Sequence, residues 1–174
     1  MYFIKKEVIG KIVSDILMIG IFILITVFAK TRNFPLYVIE PMRIILIITI
    51  IFTNKANQYF FAIILPLISF FISGHPPIPK TLIIVCELSL NVAFFWLLEK
   101  KIGNIFLSIA LSIILSKISY YIIKYIVFSF ILREKFTIEN DRIFEQVVII
   151  VGLSVLGWFM DLIRKKVNEK KRTF

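Results

Sequence analysis

Glu87 and Asn91 stand four residues apart inside the apolar run Thr81–Leu98. Lys117, Tyr120, Tyr121 and Lys124 stand inside a later run at i, i+3, i+4 and i+7. The first spacing stacks a carboxylate and an amide on one helix face, and the second draws a single stripe along a helix. Arg43 heads an earlier run, with Glu40 three residues before it. Such groups can bind a polar solute: two cations on one stripe favour a carboxylate or phosphate, and Glu87 can take a donor or an amine. Two lysines on one face would otherwise repel each other unless carboxylates or water lie nearby, and ionisable groups at membrane depth usually serve a function. A structural alternative stays open, in which Lys and Glu neutralise each other and hold helices together, or the lysines snorkel to headgroups.

Catalysis finds little support. His75 is the single histidine, in a loop without partners for a metal site. There is no nucleophile–base pair at recognisable spacing, no glycine-rich phosphate loop and no Walker motif. The chain is therefore read as a non-enzyme that needs no cofactor and draws on no nucleotide itself. Cys86, the single cysteine, lies in an apolar run and is expected to be a small packing residue.

The elements that must position these groups are membrane helices. Of 174 residues 59% are hydrophobic, 18 of them Phe, in runs too long and unbroken for a soluble domain of this size. Six spans fit, at about Ile12–Ala29, Pro41–Phe52, Tyr59–Ser73, Thr81–Leu98, Ile105–Leu132 and Ile143–Leu162. Together they make one all-α integral membrane bundle over residues 1–174, with a basic tail at 163–174. A straight crossing needs roughly 20 residues. The second and third spans fall short, so they extend into Phe34–Glu40 and Ser73–His75 or sit inside the bundle. Pro76, Pro77 and Pro79 stop the third span, and Gly103-Asn104 separates the fourth from the fifth. Asp15 interrupts the front of the first run and no small-x-small site precedes a soluble domain, so that run is expected to be a retained span. Asp15 and Asp161 are read as surface or pairing groups near the cytoplasmic face.

The net charge of +10 could suggest nucleic acid, but the basic residues gather at segment ends, six of them in Arg164–Arg172. That is the pattern of cytoplasmic flanks beside anionic lipid, and nucleic acid is not expected as a partner. With six spans, twelve Lys and Arg lie on the side of both termini and six on the other. Both termini are then cytoplasmic, and the chain is a multi-pass protein of the cell membrane. The fourth span enters from outside, which puts Glu87 roughly 10 Å and Asn91 roughly 15 Å below its outer start. Lys124 falls at a depth similar to Glu87 and is expected to face it, with Lys117 nearer the level of Asn91. Glu145 and Gln146 open the last span from the same side. Phe94, Phe95 and Trp96 are available as aromatic walls of an outward-opening polar pocket.

Pro41-Met42-Arg43, Pro66-Leu67-Ile68-Ser69-Phe70, Gly74-His75-Pro76-Pro77-Ile78-Pro79 and then Glu87 follow one another in order over Pro41–Leu98. This succession resembles the substrate-binding S components of energy-coupling factor (ECF) transporters. Many of these look like Pro-Met-His, Pro-Leu-x-Ser-Phe, Gly-x-Pro-Pro and a Glu-bearing helix. The match covers about a third of the chain. Length, six spans and cytoplasmic termini agree with that family. Arg43 stands where histidine is common. Glycines are lacking between the second and third spans, and the first has Gly20 and Ala29 but no Ala-x-x-x-Ala.

The resemblance implies capture of a vitamin or similar micronutrient from outside, docking on a transmembrane coupling subunit with two ATPase subunits, and inward release. An outer loop, Lys30–Glu40, would serve as a lid. The binding residues expected are Arg43, Glu87, Asn91, Lys117, Tyr120, Tyr121 and Lys124, for an anionic or zwitterionic small molecule. The competing reading is a small scaffold protein of a cell-envelope machine, MreD-like, which would also have about six spans and a basic tail but no need of a polar pocket.

Overall fold

The computed structural model describes residues 2–32, 40–74, 76–132 and 143–172. Residues 33–39 of the expected lid Lys30–Glu40, His75 and the charged connector 133–142 lie outside the described residues, as does the side chain of Glu145. Six α-helices follow in order: α1 (Tyr2–Arg32), α2 (Pro41–Phe52), α3 (Lys55–Ser73), α4 (Ile78–Ile102), α5 (Ile105–Ile126) and α6 (Ile143–Arg172). A π-helical turn, Val127–Leu132, continues α5. No strand occurs among the described residues.

Among the described residues four segments are long and apolar enough to cross a membrane: Lys55–Ser73, Ile78–Ile102, Ile105–Ser129 and Gln146–Val167. The apolar stretches Val13–Phe28 and Pro41–Phe52 are shorter. Large apolar side chains cover the outside, with Phe71 at 79% exposure, Leu24 at 70% and Ile16 at 64%. Patches of that extent are unusual on a soluble monomer and are what a lipid-facing surface requires. Cys86 lies on this exposed side of α4 rather than packing in the core, because the inward face there is taken by Glu87, Leu88 and Asn91.

The short helix α2 is the centre of the bundle. It touches α1, α3, α4 and α6. Its 12 residues include Ile45, Leu46, Ile47, Thr49, Ile50 and Ile51, all buried. A helix apolar on every side is one enclosed by other helices. At about 1.5 Å per residue it spans only about 18 Å, well short of a bilayer core. Around it Phe22, Phe61, Ala62, Leu65, Val92, Ile109 and Ile113 complete the core.

The ends of the helices follow local chemistry. Asn54 caps α3 by accepting from the Asn57 N–H at 3.0 Å, which starts that helix four residues before the apolar run itself. Asn104 caps α5 in the same way through the Leu107 N–H. Gly74 and Gly103 close α3 and α4 in the left-handed conformation, φ 68° and 67°. Ser108, Ser112 and Ser116 share the buried side of α5 with Ile109 and Ile113. Their small side chains let α5 approach α4 closely, in the most extensive helix pairing among the described residues.

Candidate functional site

Pro41 begins α2, and the residue before it, Glu40, is its N-cap. The Glu40 carbonyl accepts from the N–H groups of Arg43 at 2.9 Å and Ile44 at 3.2 Å. Its side chain makes no cap hydrogen bond. It turns instead to two cations: Oε2 lies 2.9 Å from Arg43 Nε, and Oε1 lies 2.5 Å from Lys117 Nζ. Glu87, reaching in from the third turn of α4, accepts from Arg43 Nη2 and lies 3.7 Å from Lys117 Nζ. Three helices and one cap residue thus deliver two carboxylates and two cations to one point, with no net charge. Arg43 and Glu87 are deeply buried, whereas Glu40 and Lys117 each keep 18% of their side chains exposed.

One turn beyond Glu87 on α4, Asn91 is buried against α5. Its Nδ2 donates to Ser116 Oγ at 3.3 Å, and its Oδ1 accepts from Ser112 Oγ at 3.4 Å. Ser116 and Asn91 are therefore level. Lys117 starts at that level and uses its flexible four-carbon stem to climb about one turn to the carboxylates. The sequence pointed to Lys124 as the partner of Glu87; here the first turn of α2 brings Arg43 against Glu87, and Lys117 reaches the same carboxylate. Lys124 lies farther along α5, its Nζ 6.0 Å from the Phe128 ring centroid.

Tyr120 and Tyr121 are half-buried and meet edge to face, ring centroids 5.4 Å apart. The Tyr121 hydroxyl accepts from Gln146 Nε2 at 2.8 Å, which ties α5 to the start of α6. Of the seven residues expected from sequence, Arg43, Glu87 and Lys117 share one cluster, Asn91 lies directly beneath it, and Tyr120, Tyr121 and Lys124 continue along α5. Glu40 was missing from that set although, like Glu87, it contacts both cations. Its signal was present: a carboxylate three residues before an arginine across a proline that starts a helix.

Trp96 is not a wall of this site. It lies nine residues beyond Glu87 along α4, and its Nε1 donates to Gln58 Oε1 at 2.7 Å, with Lys55 Nζ 4.2 Å from its ring centroid. That places it at the opposite end of α2. At the same end a groove of about 230 Å³ runs between the α4–α5 turn and α6, lined by Asn104, Trp158, Asp161 and Lys165. Asp15 and Asp161 are both paired: Asp15 accepts from Asn57 Nδ2 at 2.5 Å, and Asp161 lies 2.8 Å from Lys165 Nζ.

The guanidinium of Arg43 is incompletely used. Nη1 is buried and has no hydrogen-bond partner. Among the described residues no three His, Cys, Asp or Glu side chains converge as a metal ion would require. The site can offer charge and directed donors to a polar solute. No family model, curated protein or solved structure matches this chain.

Proposed function

We propose that the chain is the substrate-capture subunit of an ECF-type importer. In this reading α1 and α2 join the four long helices as membrane crossings, α2 as a short one enclosed by protein, and both termini are cytoplasmic. The chain sits in the cell membrane and binds a micronutrient from outside. It then docks on a transmembrane coupling subunit carrying two ATPases, which supply the energy for inward release. The ligand contacts are Arg43, Glu87, Asn91, Lys117, Tyr120, Tyr121 and Lys124.

One observation carries the reading: a buried arginine inside an apolar bundle keeps the Nη1 donor without a partner among the described residues, in a cluster in which Glu40 and Lys117 reach the surface. A buried polar group left unsatisfied costs about 1–3 kcal/mol, which a solute bearing an acceptor would recover on binding. The scaffold reading draws on a different observation, the cancellation of two positive by two negative charges, which is what a purely structural network needs.

The deciding experiment is to purify the protein in mild detergent, denature it and identify released small molecules by mass spectrometry. A parallel affinity capture from membranes looks for ATPase subunits. A stoichiometric small molecule, lost in Arg43→Ala, is the expected result. A protein that carries no small molecule and captures no ATPase pair, but does capture envelope-machine proteins, overturns the importer reading in favour of the scaffold.

A further inference from the structure

Glu40 is the one non-glycine residue with a left-handed backbone among those described, φ 47° and ψ 56°. That conformation is unfavourable for a residue with a Cβ and persists only where the surroundings compensate. Here the compensation is ionic, since the Glu40 carboxylate bridges Arg43 and Lys117.

The bridge is poorly made on the arginine side. A carboxylate that docks squarely on a guanidinium makes two parallel hydrogen bonds. Arg43 instead splits its fork, Nε toward Glu40 and Nη2 toward Glu87, with Nη1 unused. The 2.9 Å approach of Glu40 Oε2 to Arg43 Nε is an ion contact without hydrogen-bond alignment, and neither atom has another hydrogen bond. A side chain tethered only three residues from the arginine cannot present its oxygens face-on. Glu40 is thus strained, misaligned and partly exposed, yet it touches both cations.

We propose that Glu40 is a resident stand-in for a carboxylate on the solute. The ligand is a carboxylate-bearing small molecule that displaces the Glu40 side chain from Arg43 and Lys117 and engages the unused guanidinium donor. The exchange keeps two negative charges against two positive at the cluster, so no buried charge is left uncompensated. A solute lacking an anionic group has no means of replacing Glu40 there. The inference rests on the importer reading for its physiological meaning, but the site itself can be tested without a known ligand.

The test uses the full chain in detergent with acetate as probe, and chloride and acetamide as controls at matched ionic strength. Glu40→Gly removes the stand-in and suits the left-handed backbone, so the start of α2 should survive. Acetate is expected to raise the thermal unfolding midpoint of Glu40→Gly by at least about 2 °C more than that of the wild type. Acetamide and chloride should not, and a further Lys117→Ala should abolish the difference. Glu40→Gln, which keeps the size and loses the charge, should also respond to acetate more than the wild type, and provides the measurement if Glu40→Gly folds poorly. Equal acetate responses in variant and wild type, or an equal response to chloride, overturn the proposal. So does a co-purifying solute without a carboxylate, a result that leaves the importer reading standing. Absence of both solute and ATPase partners sinks the importer reading, while the acetate comparison still decides whether Glu40 occupies a carboxylate site.

Discussion

The two ends of α2 are both polar and both buried, and they are finished in opposite ways. At the C-terminal end, Gln58 is fully buried. Its Nε2 donates to the carbonyls of Ile50 at 3.2 Å and Thr53 at 3.1 Å, while its Oε1 accepts from Trp96. Arg164 donates to the Ile51 carbonyl at 2.6 Å, and the Thr53 hydroxyl to that of Thr49 at 2.7 Å. The last carbonyls of a helix need partners from outside it, and here they have them. Each amide donor of Gln58 is spent on closing the helix. At the N-terminal end the groups are charged, drawn from α2, α4, α5 and the cap residue, and two guanidinium nitrogens, Nε and Nη1, make no hydrogen bond to the described residues. A network with nothing spare fixes a fold. One with a spare donor and partly exposed members is suited to receive something.

The hardest way to break this contrast is at Glu87. Glu87→Ala removes the acceptor of Arg43 Nη2 and leaves a buried guanidinium with only the misaligned Glu40. Stripping one partner from a buried ion pair typically costs about 3–5 kcal/mol. We expect a loss of that order in the unfolding free energy in detergent. Replacing Arg43 and Glu87 together with methionine should recover most of it, because two apolar side chains need no compensation. That double variant separates the roles: folding returns and ligand binding does not. A Glu87→Ala protein as stable as the wild type would show that the N-terminal cluster is solvated, and the comparison between the two ends would collapse.

Much of this arrangement was legible before any coordinates. The prolines 76, 77 and 79 and Gly103-Asn104 punctuate the helices because each has a local chemical reason to do so. Glu87 and Asn91 had to share a face because four residues are about one turn. Partner choice was not legible. Depth reckoned along α4 and α5 puts Lys124 level with Glu87, but it takes no account of a lysine stem one turn long, nor of how deeply α2 is sunk. Arg43 lies in the first turn of α2 yet meets the third turn of α4, so α2 begins inside the bundle. That offset is a property of how helices stack, which no single helix encodes. Gln58 passed unnoticed for a similar reason, since its three partners come from outside its own helix, two from the end of α2 and one from α4.

A second variant sharpens the other end. Gln58→Leu puts an apolar side chain of similar size in its place but orphans the Ile50 and Thr53 carbonyls and the Trp96 indole N–H. Losing partners for buried groups costs about 1–3 kcal/mol. We expect a stability loss in that range together with a shift in Trp96 emission, read in a Trp158→Phe background so that one tryptophan reports. Solute binding should be unchanged. Weakened binding in Gln58→Leu, with stability intact, would mean that the C-terminal end of α2 belongs to the binding apparatus and that the division of labour drawn here is wrong.

The smallest effect is expected midway between the two ends, where neither network operates. A Cβ at Gly157 on α6 would come 2.3 Å from Ile109 Cδ1 of α5 and 3.2 Å from Ile47 Cγ2 of α2. Glycine here serves close approach rather than backbone freedom, bringing α6 against α2 and α5 at once. Gly157→Ala should destabilise by about 1 kcal/mol, at the low end for overpacking, because the nearest atom is the movable tip of an isoleucine. Ile109→Val removes that tip, so the double variant should recover more than the sum of the single changes allows, a coupling measurable in a double-mutant cycle. If Gly157→Ala instead altered solute affinity without that coupling, strain at the middle of α2 would be reaching the ionic cluster. The helix would then transmit force between its two ends instead of insulating one from the other.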